Sequence, residues 1–236
     1  MKNLDQKEMK ALAGRSAVDA LVKSGMKLGL GTGSTAVPAI RHIGGLMAQG
    51  VLKDIKAVPS SFQTVLECEA LGIPLFSLNS REIGGSLDLS IDGADEVDPR
   101  NFCTKGGGGA LLLEKLIAYA SGLYAIVVDE TKTVDNLGLK FAIPVEVIPE
   151  ARVPVFRALQ ALGAEPVLRE ALRKAGPVIT EHGNLIVDIR LKQTEDPVFL
   201  EAELNRIPGV VENGLFTRVR PSVFIARGNG SVERRD

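Results

Sequence analysis

Between Lys27 and Val128, short apolar runs alternate with segments of helical periodicity, and this alternation limits the chain to few folds. Lys27-Leu28-Gly29-Leu30-Gly31 reads as a strand entering the tight turn Thr32-Gly33-Ser34-Thr35, after which Ala36 to Met47 resumes a helical pattern. Ile55 to Val58, Leu87 to Ile91 and Tyr124 to Val128 read as further strands, with helices at Ser60 to Leu71 and Ala110 to Ala120. Parallel strands need a crossover connection, usually a helix. Strands and helices in this alternation imply βαβ units and a parallel sheet covered on both faces. A helix over residues 4–23 precedes them, with Leu4, Met9, Leu12, Ala13, Ala17, Ala20 and Leu21 at roughly three-to-four spacing.

The pattern changes after residue 137, where Pro144, Pro149 and Pro154 punctuate the chain. A helix is expected near 152–162, short strands near 166–169 and 177–180, a hairpin arm from Asn184 to Leu191, and a helix from Pro197 to Arg206. Val223-Phe224-Ile225-Ala226 is a late apolar run expected to return to the first sheet as an added strand, leaving Gly228 to Asp236 as a frayed tail. The expected fold class is therefore α/β. A Rossmann-like parallel-sheet domain, residues 1–137 plus 217–236, carries a smaller inserted α+β (ferredoxin-like) domain, residues 138–216.

Charge excludes some functions. Lys and Arg number 28 against 29 Asp and Glu, with no long block of one sign, which argues against a nucleic-acid or anionic-membrane surface. Cys68 and Cys103 are far apart and form no C-x-x-C, so they cannot supply a zinc site or a disulfide framework by themselves. A reducing cytoplasm is the expected location. The start, Met1 to Glu8, is polar and lacks the apolar core of a signal peptide. No run approaches the ~18 apolar residues of a membrane helix.

The chemistry-bearing residues lie on Gly-rich turns. Asp92-Gly93-Ala94-Asp95-Glu96 follows the strand ending at Ile91, which places Asp92 and Asp95 at the carboxyl edge of the sheet, where ligands of open α/β folds bind. Lys105-Gly106-Gly107-Gly108-Gly109 follows, then Glu114 one to two turns into the next helix. Gly31-Thr32-Gly33-Ser34-Thr35-Ala36 fits the G-x-G-x-x-G/A dinucleotide pattern, but the next strand ends in Val58-Pro59-Ser60-Ser61 without the acidic residue that binds the ribose hydroxyls. The turn suits a phosphate better, since N–H groups at a helix start and the hydroxyls of Thr32, Ser34 and Thr35 offer donors. Ser34 or Thr35 can equally cap the helix. Val127-Val128-Asp129-Glu130-Thr131-Lys132 ends another strand and places Lys132 at the same edge; His42 and His182 show no metal spacing.

The ordered set, joined by Pro144-Val145-Glu146-Val147-Ile148-Pro149 and Ile207-Pro208-Gly209-Val210-Val211, closely resembles ribose-5-phosphate isomerase of the A type over nearly the whole chain. That resemblance implies reversible conversion of D-ribose 5-phosphate to D-ribulose 5-phosphate in the non-oxidative pentose phosphate pathway, with no metal or organic cofactor. It implies Glu114 as the general base, and Lys105, Asp92 and Asp95 as the residues that open the ring and hold the enediolate. Substrate binding falls to Thr32, Gly33, Ser34, Thr35, Gly93, Ala94, Gly106, Gly107, Gly108 and Lys132, with Lys10 as a further phosphate contact. A homodimer or homotetramer is implied as well. Amino-sugar phosphate deaminases and CoA-transferases resemble the same fold, and a phosphosugar-binding sensor module is the non-catalytic alternative.

Overall fold

The computed structural model describes residues 3–191 and 196–236; Met1 and Lys2 of the polar start lie outside them. The chain divides into two compact units, one of Met1–Ala94, Leu113–Thr133 and Val219–Asp236, the other of Asp95–Leu112 and Val134–Arg218. Residues 95–112 fall in the second unit, whereas the division expected from the change of pattern after residue 137 kept them with the first. Their backbone pairs there: Cys103–Thr104 is laddered to Glu96–Val97 on one side and Leu215–Phe216 on the other.

The first unit holds a six-stranded sheet in the order Val232–Arg235, Ser222–Ala226, Ser121–Asp129, Leu87–Asp92, Lys27–Leu30, Lys56–Pro59. All pairings except that of Val232–Arg235 are parallel. The central strands are buried almost throughout, as a sheet covered on both faces requires. Leu28, Leu30, Leu89, Ile91, Ala125 and Val127 face Met9, Ala13 and Ala17 of the helix Gln6–Leu21 and Ile40 and Ile43 of the helix Gly33–Ala48. A separate cluster joins Val58, Ile83 and Leu87 to Ile117 of the helix Leu111–Tyr119.

The strand Lys27–Leu30 lies between Lys56–Pro59 and Leu87–Asp92, so the chain leaves it to one side and returns on the other. Such a reversal leaves a crevice outside the carboxyl ends of the two diverging strands. The turn after Leu30 and the residue Asp92 occupy those ends.

In the second unit a four-stranded antiparallel sheet runs Val210–Asn213, Ile143–Val147, Leu185–Arg190, Glu165–Leu168. With the helices Arg152–Ala161 and Pro197–Asn205 the chain order is strand-helix-strand-strand-helix-strand, the ferredoxin-like arrangement. Val145, Val147, Val155, Leu159, Val187, Ile189 and Leu204 form its core.

Two expectations are corrected. Residues 177–180 make only isolated bridges, Glu170 with Pro177 and Ile179 with Leu185, and no continuous strand. The expected frayed tail contains the strand Val232–Arg235, paired antiparallel with Ser222–Ala226 after a turn in which Arg227 N–H donates to Ser231 at 2.9 Å. Its polar sequence hides it, because an edge strand needs backbone partners more than apolar side chains.

Candidate active site

In the first unit, the site grows out of the turn after Leu30. Gly31 N–H donates to Ile91 O at 3.0 Å, continuing the ladder with the neighbouring strand. A Cβ at Gly31 would lie 2.0 Å from Asp92 Oδ1, so only glycine lets this carboxylate rest against the turn. Asp92, 4 % exposed, accepts from the N–H groups of Thr32 at 3.1 Å and Gly93 at 2.7 Å. Gly31→Ala is expected to displace the carboxylate and cost about 1–3 kcal/mol, as overpacking does. Chemical denaturation of the variant checks this; an unchanged midpoint would show that the turn tolerates a methyl group.

Thr32 is the N-cap of the helix Gly33–Ala48, yet its side chain makes no cap bond. The expectation that Ser34 or Thr35 caps the helix gives way, since both lie within its first turn. The Thr32 hydroxyl joins a buried cluster, 2.7 Å from Ser60 Oγ and donating to Ser61 Oγ at 2.6 Å, while Thr64 Oγ1 donates to Gly31 O at 2.7 Å. Gln63 Oε1 accepts from Gly33 N–H at 3.0 Å. Thr32 and Gly33 thus shape the turn. Ser34, exposed at the helix start, receives a hydrogen bond from the Lys10 ammonium at 3.0 Å. A helix N-terminus whose N-cap side chain makes no cap bond, with an ammonium one hydroxyl away, favours an anion through the N–H donors beyond Gly33 and the helix dipole.

Ser34 also borders a cavity of about 650 Å³ lined in part by Lys7, Arg15 and Arg41, the last ion-paired at 2.7 Å with Glu67 of the same lining. Lys132 ends a short 3₁₀ turn, Glu130–Lys132, held by Asp129, which accepts from Thr131 N–H at 3.0 Å and from the Thr131 hydroxyl. Gln6, four residues before Lys10, donates to Asp129 Oδ2 at 3.3 Å. Glu114 lies in the first turn of Leu111–Tyr119, earlier than the spacing predicts, with 6 % exposure.

In the second unit, Asp95 and Lys105 flank a hairpin. Lys105 is 3 % exposed; its N–H donates to Gly214 O at 2.9 Å and its ammonium lies 5.6 Å from the Phe216 ring centroid. Asp95 Oδ2 accepts from Gly107 N–H at 2.8 Å, tying this carboxylate to the Gly loop. The next residue, Glu96, had no role assigned from sequence. It is 1 % exposed and accepts from the Thr104 hydroxyl at 3.1 Å and from the N–H groups of Gly138 (2.7 Å), Lys140 (3.0 Å) and Phe141 (2.8 Å). A carboxylate with this many donors around it is held in one orientation. Sequence reasoning also missed Arg169, whose guanidinium donates to the carbonyls of Gly106 and Gly107. A lone Arg some sixty residues downstream carries no local signal of that contact.

Both cysteines are buried and free, and burial pushes the Cys68 thiol up to about 11. A thiol so disfavoured as thiolate is not a nucleophile at neutral pH. Among the described residues no group of three or more His, Cys, Asp or Glu side chains is placed to hold a metal ion, and no helix is long and apolar enough to cross a membrane.

A parallel sheet whose Gly-rich turn and buried Asp92 stand at the switch point, where open α/β sheets bind their ligands, is the arrangement of an α/β enzyme. Residues 56–230 match the family described as ribose 5-phosphate isomerase A (phosphoriboisomerase A). The ribose-5-phosphate isomerase A of Treponema pallidum is 54 % identical over 98 % of this chain and 94 % of its own length. That of Treponema denticola is 51 % identical over 98 % and 99 %. Among solved structures, a D-ribose-5-phosphate isomerase in complex with phospho-erythronic acid superposes with a TM-score of 0.94 at 39 % identity, covering 99 % of this chain and all of the other. The ribose 5-phosphate isomerase A of Methanocaldococcus jannaschii gives 0.90 at 42 % identity, over 97 % and 98 %. The chain belongs to the ribose-5-phosphate isomerase A family and is an aldose-ketose isomerase.

Proposed function

We propose that this chain interconverts D-ribose 5-phosphate and D-ribulose 5-phosphate through an enediolate, with Glu114 as the base. The observation that carries the reading is the near-full-length kinship with isomerases of this name, at up to 54 % identity, in a chain that carries Asp92, Asp95 and Lys105 on Gly-rich segments and Glu114 in the helix that follows them. Asp92 and Asp95 are three residues apart, about 11 Å of extended chain at most, so both carboxylates can serve one pentose.

The residue types fit each step. Asp92 or Asp95 accepts the anomeric hydroxyl proton and returns it to the ring oxygen as the bond from C1 to that oxygen breaks, opening the hemiacetal to the aldehyde. The Glu114 carboxylate takes the proton from C2; the C2–H electron pair forms the C1–C2 double bond, and the C1 carbonyl oxygen takes the negative charge. Lys105 and N–H groups of the Gly loop stabilise that charge. Return of the proton to C1, with transfer of the O2 hydroxyl proton to O1, leaves the ketone at C2. The phosphate is held by the first turn of Gly33–Ala48 with Ser34, Thr35, Lys10 and Lys132, and this remote binding orients C1 and C2. The phospho-erythronic acid held by the solved relative has a phosphate at one end and a carboxylate at the other, a charge distribution like that of the enediolate. No observation favours the transferase or sensor readings.

A homodimer or homotetramer in the cytoplasm belongs to the same reading, supported by family membership; light scattering of the purified chain measures the assembly. The test of the activity is ribulose 5-phosphate formation from ribose 5-phosphate, beside unphosphorylated ribose. Rapid turnover of the phosphate ester and far slower turnover of the free sugar are expected. Absence of turnover, or equal rates on both sugars, would overturn the assignment or the phosphate site respectively.

A further inference from the structure

Glycine-rich loops close to a substrate pose a physical problem. Gly106 and Gly109 adopt φ of +99° and +80°, and a run of four glycines has more accessible backbone conformations than any other sequence, so its peptide planes need an external constraint to point one way. Within the loop Gly109 N–H donates to Gly106 O at 2.9 Å, and from outside the loop a guanidinium holds two of its carbonyls. Arg169 Nη1 donates to Gly106 O at 2.9 Å and to Gly107 O at 3.1 Å. The rest of the fork is fixed by Asp188: Nε donates to Oδ2 at 2.8 Å and Nη2 to Oδ1. Arg169 follows the strand Glu165–Leu168, in which Val167 is paired with Asp188, and its own N–H donates to Ile186 O at 2.9 Å. Both ends of the ion pair therefore rest on one antiparallel ladder. The two side chains are 15 % and 24 % exposed, sheltered enough to hold a defined geometry.

In a planar trans peptide, C=O and N–H point in opposite directions. Holding Gly106 O turns the N–H of Gly107 the other way, where it meets Asp95 Oδ2 at 2.8 Å. Holding Gly107 O likewise turns the N–H of Gly108 away from Arg169, and that donor has no partner among the described residues. We propose that Arg169, anchored by Asp188, is a positioning residue that orients the Gly106-Gly107-Gly108 peptide planes, and through them the Asp95 carboxylate and a Gly108 N–H donor for the developing oxyanion. The role rests on the isomerase reading above. Arg169 touches no substrate; released, the loop rotates its peptides and the donor and the carboxylate are misplaced together.

The test compares Arg169→Ala, Arg169→Lys and Asp188→Asn with the wild type in steady-state kinetics and in amide hydrogen exchange of segments covering residues 104–111. For Arg169→Ala, kcat is expected to fall about 10–100-fold, the scale of a small misplacement, with KM changed less than about threefold. Arg169→Lys keeps the charge but not the fork, so it is expected to recover only part of the rate. Added guanidinium, below denaturing concentration, is expected to restore activity to Arg169→Ala and none to a Glu114 variant, a rescue that general destabilisation does not show. Exchange in the loop is expected to quicken in all three variants. Wild-type kcat in both Arg169 variants, a rise in KM alone, or unchanged loop exchange would overturn the proposal. If Arg169→Ala does not fold, Arg169→Lys and Asp188→Asn carry the same readouts. An inactive wild type would remove the isomerase reading, while the exchange comparison would still decide whether the guanidinium orders the loop.

Discussion

Glu114→Gln is expected to leave a folded protein that retains the sugar phosphate and turns it over about 10²–10⁴-fold more slowly, the usual contribution of a positioned general base. Glutamine has the size of glutamate and keeps an acceptor oxygen, so packing around a side chain only 6 % exposed changes little. What it loses is basicity: an amide oxygen cannot carry a proton between C2 and C1. Two measurements separate this from a folding defect. Binding of a substrate-like aldonic acid phosphate should stay within a few-fold of the wild type, because the phosphate-binding groups assigned to the Gly33–Ala48 turn are untouched. In D₂O the wild type should wash deuterium into the sugar carbon from which the proton is lost, and the variant should not. A variant that retained a tenth or more of kcat would remove Glu114 from the base role.

Lys105→Met is expected to lower kcat by about 10²–10³-fold, the scale of losing one well-aimed oxyanion donor. Methionine occupies nearly the volume of the lysine stem and suits the Phe216 ring against which the ammonium now lies, so the hairpin should survive. The backbone bond from Lys105 N–H to Gly214 O does not depend on the side chain. The loss should fall on kcat more than on KM, since the charge being stabilised develops after binding. A variant whose KM rises while kcat holds would instead make Lys105 a ground-state binding group. Measured together, the Glu114 and Lys105 variants should show strong non-additivity, because a lost base leaves little oxyanion to stabilise.

Much of the first unit is legible in the residues because its signals are local. The strands at 27–30, 56–59, 87–92 and 121–129 are short apolar runs between helical segments, and the late run at 222–226 joins the same sheet. Asp92 could be placed at the sheet edge because it directly follows an apolar strand. Other features depend on partners distant in sequence. Val232–Arg235 is polar and becomes a strand only because Ser222–Ala226 offers an unpaired edge. Residues 177–180 resemble a strand but bond only at isolated positions. The hydroxyl of Thr32, an apparent ligand donor, is engaged by Ser60 and Ser61 from the end of the next strand.

By itself the sequence determined the alternation of strand and helix, the Gly-rich turns, the ionisable residues placed on them and, through their order, the resemblance to one isomerase family. The alternation and the turns follow from propensity, periodicity and spacing, which act between near neighbours. Only the tertiary structure decided which groups hold those turns in shape: Gln63 on Gly33, Glu96 on residues 138–141, and Arg169 with Asp188 on the Gly106–Gly109 loop. A hydrogen bond requires two groups within about 3 Å and well aligned. For residues dozens of positions apart, that proximity is set by the packing of whole elements, and no local pattern in the chain encodes it.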